Sequence, residues 1–323
     1  MEVWTALKSK VHEYRSVSDQ SLYIRTCLET SRSASLLDSL EVLVSSAASA
    51  SSSASFWLGY QVAIQKLFGH VLEGQLASFV VNEKKSPVPK HWQTSLNKQG
   101  PDALLELQGA KDFVTADDQI EALLVAANLK MTSLKVTPNE NQNEQKPECK
   151  VALIPCQAKG VQLTEFDGMP VFKDLKKARS VFDRVHVADQ GLLPGDGYDL
   201  YVKPFRVVED FYVSASLLGY VSRLLIISGE LKQENNLIVE QLNTLFKALA
   251  EAERDLLLVM PECQTTSFLF ETVLRDISAF ISEMVLKHKD DAGWEGLTGD
   301  LMVLKIGEKA RSIRYDRASE RLT

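Results

Sequence analysis

The strongest constraint on the fold is an abrupt change of pattern within residues 191–220, GLLPGDGYDLYVKPFRVVEDFYVSASLLGY. The LPGDGY part, 193–198, contains one proline and two glycines, which fix φ or permit backbone conformations that a Cβ atom forbids. From about Val207 onward, apolar residues recur at helical spacing: Phe211, Ala215, Leu218, Val221 and Leu225. The change predicts a domain junction, with short β-rich segments before it and long amphipathic helices after it.

The composition is that of a globular protein. Hydrophobic residues make up 45% of the 323 residues and charged residues 24%, which are ordinary proportions for a soluble chain. The length is sufficient for two or three domains and a large core. The net charge of −7 argues against nucleic acid as a partner, because phosphate binding requires a basic face.

The cysteines and the N-terminal residues bear on location. The four cysteines form no C-x-x-C motif, and the five histidines show no ligand spacing with them. Free thiols in a reducing compartment and no metal site are therefore expected. The N-terminal segment MEVWTALKSKVHEYR carries charges where a signal peptide needs an apolar core. No stretch approaches the roughly 20 apolar residues of a membrane span, so the sequence predicts a cytoplasmic protein.

Residues 1–74 are predicted to form an N-terminal helical region, because leucines recur at helical spacing between residues 22 and 44. The serine-rich stretch at 45–55, SSAASASSSAS, allows two interpretations. Its composition is typical of a flexible linker. It contains no glycine or proline, however, and runs directly into FWLGYQVAIQKLF, which is apolar at helical spacing. We therefore favour a helix whose small side chains let neighbouring backbones approach closely.

Residues 75–195 are predicted to form a middle β domain. Short β-favouring runs begin near residues 75, 103, 121 and 149, and turn residues separate them. The run at 177–190 alternates well enough to be the closing strand. The polar stretch 137–150 contains two prolines and should be a long hairpin loop.

Residues 196–323 are predicted to form a C-terminal helical bundle, with helices at about 207–229, 234–251, 267–288 and 299–320. The LPGDGY segment before the bundle is either a ligand-binding loop or, as we favour, a tight connection. The last helix carries a basic run that is either a solvated face or a surface for a neighbouring subunit. Its arginines are Arg311, Arg314, Arg317 and Arg321.

Three segments, in this order, resemble motifs of the acyl-CoA dehydrogenase family. The segment FVVNE, 79–83, is similar to the family's aromatic-x-x-Thr-Glu-Pro strand end. The segment LQGAKDFVT, 107–115, resembles the family's Asn-Gly-x-Lys-x-Trp-Ile-Thr. The Glu209-Asp210 pair is followed by Gly219, much as one branch of the family carries Glu-Arg and a later Gly on one helix. The resemblance covers roughly residues 40–290.

The resemblance implies an α+β fold of the acyl-CoA dehydrogenase type. Its parts would be an N-terminal helical part, a middle β-barrel-like domain and a C-terminal four-helix bundle. Because the bundles of this family pack against one another, the resemblance also implies a homodimer or homotetramer.

The resemblance further implies an FAD enzyme that removes hydrogen from the α and β carbons of an acyl-CoA. Glu209 would be the catalytic base, since a carboxylate buried beside an acyl chain has a raised pKa. Phe113 would pack on the flavin ring, and Thr115 would contact the flavin through its backbone or hydroxyl group. Val81 and Asn82 would reach the pyrimidine edge of the ring. Without the resemblance, Glu209 is simply an acid at the start of a helix, where the helix dipole favours it.

The chain also departs from the family pattern. Asn82, Phe113 and Asp210 stand where the family has Thr, Trp and Arg. EKKSPVP, 83–89, replaces a Gly-Ser-Asp loop that serves the bound ligands, and the family's C-terminal glycine-rich segment is missing. Two hypotheses follow: a divergent flavoprotein that uses Glu209, or a flavin-free scaffold that acts as a binding or assembly protein.

Overall fold

The chain folds into two compact units. The helical unit contains the chain up to Gly69, a short segment that ends at Leu175, and the chain from Arg206. The β unit contains His70–Gly168 and Lys176–Phe205. The computed structural model describes residues 2–30, 37–84, 86, 88–98, 105–115, 118–131, 148–165, 171–231, 237–259, 266–294, 297–300, 304 and 308–321. The predicted N-terminal and C-terminal helices thus belong to one unit.

The helices follow the apolar stripes of the sequence. They are α1 (Glu2–Lys10), α2 (Val17–Thr30), α3 (Ser39–Ser46), α4 (Ser52–Leu72), α5 (Lys203–Ser228), α6 (Leu237–Val259), α7 (Phe268–Lys287), α8 (Leu297–Asp300) and α9 (Glu308–Ser319). The predicted stripe of α7 is buried from Phe270 to Val285. Ser267 caps this helix, since its Oγ accepts the Phe270 N–H at 3.1 Å.

The serine-rich stretch is neither a continuous helix nor an exposed linker. It ends α3 at Ser46, turns, and begins α4 at Ser52. The turn is anchored to the segment between α1 and α2: the Arg15 N–H donates to the Ala48 carbonyl at 2.7 Å, and the Ala50 N–H donates to the Arg15 carbonyl at 2.8 Å. These backbone bonds satisfy polar groups that would otherwise be buried without partners, so the predicted helix is interrupted here.

Glycines let α3 and α4 lie directly against α5. A Cβ atom added at Gly219 would lie 2.0 Å from the Leu43 carbonyl oxygen, and one added at Gly59 would lie 2.6 Å from the Tyr212 carbonyl oxygen. Backbone atoms cannot move away as a flexible side chain can. Close approach of helix backbones therefore occurs along α5, the core helix of this unit, at glycines that lie outside the 45–55 stretch for which it was predicted.

A buried carboxylate joins four helices of the same unit. Glu253 of α6 accepts hydrogen bonds from the Ser39 N–H at 2.8 Å and from the Tyr212 hydroxyl at 2.7 Å. The Nζ of Lys66, on α4, lies 3.8 Å from the Glu253 Oε1. Burial lowers the pKa of Lys66, and the negative charge of Glu253 opposes this effect. Glu253 thereby fixes the relative positions of α3, α4, α5 and α6.

The β unit contains one mixed sheet of β1 (Ala77–Val80), β2 (Ser95–Lys98), β3 (Leu105–Thr115), β4 (Ala122–Met131), β5 (Cys149–Pro155), β6 (Val161–Glu165) and β7 (Lys177–Val187). β4 pairs in parallel with β1 and then with β2, and antiparallel with β5. The antiparallel pairs β2–β3, β3–β7 and β7–β6 complete the sheet. The short strands β2 and β6 were not predicted. Most of the predicted 137–150 loop lies outside the described residues.

The LPGDGY segment is a tight connection that starts the core helix. The Asp196 Oδ1 accepts the N–H groups of Tyr198 at 3.0 Å and Asp199 at 2.8 Å. A π-helical turn, Tyr198–Val202, then leads into α5. The prediction that Glu209-Asp210 opens this helix is therefore wrong: the pair lies beyond the first turn, where the dipole no longer accounts for it.

The helical stretch Tyr198–Ser228 is the one described helix that is long and apolar enough to cross a membrane. Most of its apolar window is buried inside the protein. Packing in the core therefore explains its apolar character.

We expect Gly219→Ala to lower the free energy of unfolding by about 1–3 kcal/mol, because the added methyl group would overlap a backbone oxygen. Urea denaturation followed by circular dichroism measures this loss. Gly69→Ala in α4 is the matched control, since its Cβ would lie 3.5 Å from the Gln65 Oε1, an ordinary van der Waals distance. Alanine favours helix over glycine, so this control should be as stable as the native chain or more so. Equal losses in both variants would contradict the packing argument.

Candidate functional site

The β unit brings together four of the five residues predicted to form the site. The Asp112 N–H donates to the Asn82 carbonyl at 2.8 Å, and the Thr115 N–H donates to the Ser78 Oγ at 3.1 Å. These bonds place the end of β1 alongside the last residues of β3. Val81, Asn82, Phe113 and Thr115 are all half-buried along this edge.

A bulge in β3 sets the position of the aromatic residue. The pairing of β3 with β7 shifts register between Lys111 and Val114. Phe113, inside this irregularity, has a φ of 65°, a left-handed conformation that is unusual for an aromatic residue. Bulges change the direction of a side chain relative to the regular pleat, so Phe113 does not follow the alternation of its strand.

Several polar groups of this edge are already engaged, and others are not. Thr115 N–H and the Asn82 carbonyl bond within the unit, as described above, and the Val81 carbonyl accepts from Lys111 Nζ at 3.1 Å. Within the described part of the chain, no hydrogen bond reaches the Asn82 side-chain amide or the Thr115 hydroxyl. These two polar side chains are therefore candidates for hydrogen bonds to a polar ligand at this edge.

A buried ion pair supports the same edge. Lys111 is fully buried, with its Nζ 3.5 Å from the Glu83 Oε2 and 3.6 Å from the centre of the Trp92 ring. Burial lowers the pKa of Lys111 to about 7, although the charge of Glu83 opposes the shift. The Glu83 carboxylate also accepts the N–H groups of Gln93 at 2.7 Å and Thr94 at 3.1 Å. Burial opposes its ionisation, but these bonds and Lys111 hold the pKa of Glu83 below its usual range.

The sequence pattern did not predict this supporting role of Lys111. The available signal was a lysine at an inward position of an alternating strand, where a cation needs a buried partner. The resemblance of segment 107–115 to the family motif indicated Phe113 and Thr115 instead. Lys111 holds Val81 and Glu83, and so fixes the end of β1.

The loop after β1 is closed on itself. The Glu83 N–H donates to the Ser86 carbonyl at 3.1 Å, and the Ser86 N–H donates to the Glu83 carbonyl at 2.8 Å. A short 3₁₀ helix, Pro89–His91, follows. These backbone groups bond to each other, so they do not offer the N–H donors that a Gly-Ser-Asp loop presents to a ligand.

Glu209 lies on α5 in the helical unit. It is half-buried, and no hydrogen bond or ion pair reaches it from the described residues. Burial raises the pKa of Glu209 from 4.5 to about 8; the charge of Asp210 adds to the shift, and Arg206 opposes it. A carboxyl group in this condition can hold a proton at neutral pH and release it slightly above.

Asp210, in contrast, is fully paired. Its two oxygens lie 3.1 Å from the Arg311 Nη1 and 2.8 Å from the Arg314 Nη2. Two arginines of the basic run therefore pair within the chain, while Arg317 and Arg321 are exposed. Neither sequence-based interpretation of the basic run, a solvated face or a contact between subunits, foresaw this pairing.

No protein-family model matches this sequence, and a search of curated proteins finds no significant match. Solved structures do match. Butyryl-CoA dehydrogenase from Megasphaera elsdenii superposes with a TM-score of 0.62 at 14% identity, covering 94% of this chain and 88% of that chain. For the apo form of PigA the TM-score is 0.66 at 13% identity, with 100% and 92% covered. For the prolyl acyl carrier protein oxidase AnaB it is 0.64 at 12% identity, with 99% and 97% covered.

These neighbours define the class of fold. The chain has the α+β fold of the acyl-CoA dehydrogenases and related FAD-dependent enzymes, and this likeness extends over nearly its whole length. The resemblance based on three short motifs is thereby confirmed at the level of the fold.

The raised pKa of Glu209 predicts a pH-dependent stability. A carboxyl group whose pKa rises from 4.5 to about 8 on folding stabilises the protein fully below pH 4.5. This contribution is lost as pH rises toward the folded value. Glu209→Gln, which stays neutral, should therefore gain stability relative to the native chain as pH increases from about 5 to about 8. Urea denaturation across this range measures the difference.

The control is Glu251→Gln, an exposed position of α6. Its stability difference from the native chain should stay constant over the same pH range. If Glu209→Gln behaves in the same way, Glu209 does not have a raised pKa.

We expect Lys111→Met to destabilise the β unit by about 3–5 kcal/mol, because it leaves the Glu83 carboxylate buried without its cation. Combining it with Glu83→Gln should restore part of this loss, since the uncompensated charge is then removed. Chemical denaturation of the single and double variants tests the coupling, with the exposed Lys90→Met as control. Strictly additive losses would show that the two groups do not interact.

Proposed function

We propose that this chain is a FAD-dependent oxidoreductase that removes hydrogen from adjacent carbon atoms of an acyl thioester, with Glu209 as the base. The observation that carries this proposal is the half-buried Glu209, which has no hydrogen-bond or ion-pair partner among the described residues. The acids Asp210, Glu253 and Glu271 of the same unit all have such partners. A carboxyl group that only stabilises the fold would be expected to have one as well.

The raised pKa suits the proposed role. The Glu209 carboxylate would take the proton from the carbon next to the thioester carbonyl. With a pKa of about 8, roughly a tenth of the molecules are ionised at pH 7. The ionised fraction of Glu209 grows with pH, and the raised pKa gives the carboxylate a higher affinity for the proton that it removes.

The β unit offers groups that fit the flavin ring. Phe113 would pack against the ring, and the Asn82 amide and Thr115 hydroxyl would bond to its pyrimidine edge. Val81 would approach the same edge, held in place by Lys111. When bound, FAD would accept the hydride from the second carbon atom.

The substrate would be an acyl-CoA or a related thioester. The names of the structural neighbours support this range, since one is a butyryl-CoA dehydrogenase and another an oxidase of a prolyl acyl carrier protein. PigA is known with FAD and with proline. The resemblance also supports a homodimer or homotetramer, and we propose a cytoplasmic location.

The alternative is a flavin-free scaffold that serves as a binding or assembly protein. The closed turn between Glu83 and Ser86 favours it, because those backbone groups bond to each other. On this alternative, the chain keeps the fold and loses the cofactor.

The visible absorption spectrum separates the two proposals. After incubation with FAD and removal of the unbound part, the dehydrogenase proposal predicts a retained flavin band. A protein that stays colourless supports the scaffold.

If flavin is retained, Glu209→Gln should lower turnover of an acyl-CoA panel with an artificial acceptor by about 10²–10⁴-fold, because the base is lost. The same variant should keep its flavin and its circular dichroism spectrum. Glu251→Gln is the control and should turn over as the native protein does. Unchanged turnover in Glu209→Gln would remove Glu209 from the mechanism.

A further inference from the structure

The C-terminal helix α9 is bound to the helix that carries Glu209 by a cluster of four charged residues. Arg311 and Arg314 of α9 pair with Asp210 of α5 at 3.1 Å and 2.8 Å. Arg314 also donates through Nε to the Glu271 Oε1 of α7 at 2.7 Å. The cluster contains two cations and two anions, so its charges balance.

The cluster is largely buried and is not a contact between exposed side chains. The Glu271 side chain is fully buried, and the side chains of Arg311, Arg314 and Asp210 are 12%, 19% and 20% exposed. Charge-assisted hydrogen bonds of an arginine to two carboxylates in such surroundings are strong and geometrically specific.

Ring contacts hold the same helix in place. Tyr315 of α9 packs on Phe268 with a centroid distance of 5.1 Å, and the Arg275 guanidinium lies 4.3 Å above the Tyr315 ring. Loss of one arginine therefore leaves α9 with other anchors, so its effect on charge can be measured separately from unfolding.

We propose that Arg311 and Arg314 are positioning residues for Glu209: they neutralise the neighbouring Asp210 and fix the turn of α5 that bears both acids. This inference rests on the proposed role of Glu209 as base. Adjacent helical residues are rotated by about 100°, so Asp210 can face α9 while Glu209 points elsewhere. Asp210 thus has two ion-pair partners, whereas no described residue forms an ion pair with Glu209 and only the charge of Arg206 favours its ionised form.

The charges around Glu209 determine the sign of the effect. On its own helix, Asp210 disfavours the ionised form of Glu209 and Arg206 favours it. The charged groups of the cluster on α9 and α7 are Arg311, Arg314 and Glu271, and each is paired. Removing either arginine would leave Asp210 less compensated, and its charge would then oppose ionisation of Glu209 more strongly.

The test is the titration of Glu209 in the full chain without flavin, followed by the ¹³C signal of its carboxyl group. The signal is assigned by its disappearance in Glu209→Gln. In Arg314→Gln the midpoint should rise by about half a pH unit or more, because the compensating charge is lost. Arg311→Gln should shift the midpoint in the same direction, and it replaces Arg314→Gln in the test if that variant does not fold. Arg317→Gln, an exposed position of the same helix, is the control and should not shift it.

A rescue variant distinguishes charge from structure. Adding Asp210→Asn to Arg314→Gln removes the uncompensated charge and should return the midpoint to the native value or below. An unchanged midpoint in both arginine variants would overturn the inference. So would a raised midpoint that Asp210→Asn leaves in place, since the arginines would then act by holding the helix alone.

The two proposals fail separately. If the protein retains no flavin and shows no turnover but the midpoints shift and are rescued, the proposed function is wrong and the coupling stands. If turnover depends on Glu209 but the midpoints do not move, the function stands and the coupling is wrong. In an active protein, the alkaline rise of turnover should shift with the titration midpoint.

Discussion

The helical unit depends on direct backbone contact along α5. Gly219 and Gly59 leave no room for a side chain between this helix and α3 or α4, so the helices can pack in one register only. Helices this close exclude water from the groups between them, and every polar group there needs a partner. Glu253 is such a partner for one group on each of three neighbouring helices, the Ser39 N–H, the Tyr212 hydroxyl and the Lys66 ammonium. With α5 fixed, the directions of Glu209 and Asp210 are fixed as well.

The β unit solves a similar problem with an ion pair. The Lys111 side chain, on β3, is fully buried, and an uncompensated cation would be costly there. Glu83, the Val81 carbonyl and the Trp92 ring together compensate it. The same contacts hold the end of β1 beside the bulge of β3. The geometry of the candidate flavin edge is thus a consequence of a buried charge that the sheet has to accommodate.

Much of the fold could be predicted from the sequence, because apolar periodicity records which face of each element is buried. The stripe of α7 and the long strands are of this kind. The residues of the candidate flavin edge came from short motifs, whose order also indicated the fold. The pairing of Asp210 with Arg311 and Arg314 joins residues 101 and 104 positions apart. No local pattern records such a contact, and a basic run has the same appearance whether it is solvated or paired.

The start of the core helix shows a different limit. Its stripe predicted a beginning near residue 207, yet the turn at Asp196 begins the helical stretch at Tyr198. That difference bears on why Glu209 is acidic. In the first turn of a helix, the helix dipole would explain an acid, whereas beyond the first turn it does not. Sequence periodicity locates the face of a helix better than its ends, since the ends are set by capping bonds.

The two hypotheses for the function rest on different units and can be separated physically. The closed turn between Glu83 and Ser86 limits the backbone groups that could bind a cofactor. Glu209, in contrast, is the proposed base that removes a proton from a substrate. A chain could therefore lose its contacts to a cofactor and still keep Glu209. A half-buried acid with a raised pKa destabilises the folded protein as pH rises toward neutrality. A structural role for Glu209 would not need that cost, because neutralising cations are present one residue away at Asp210.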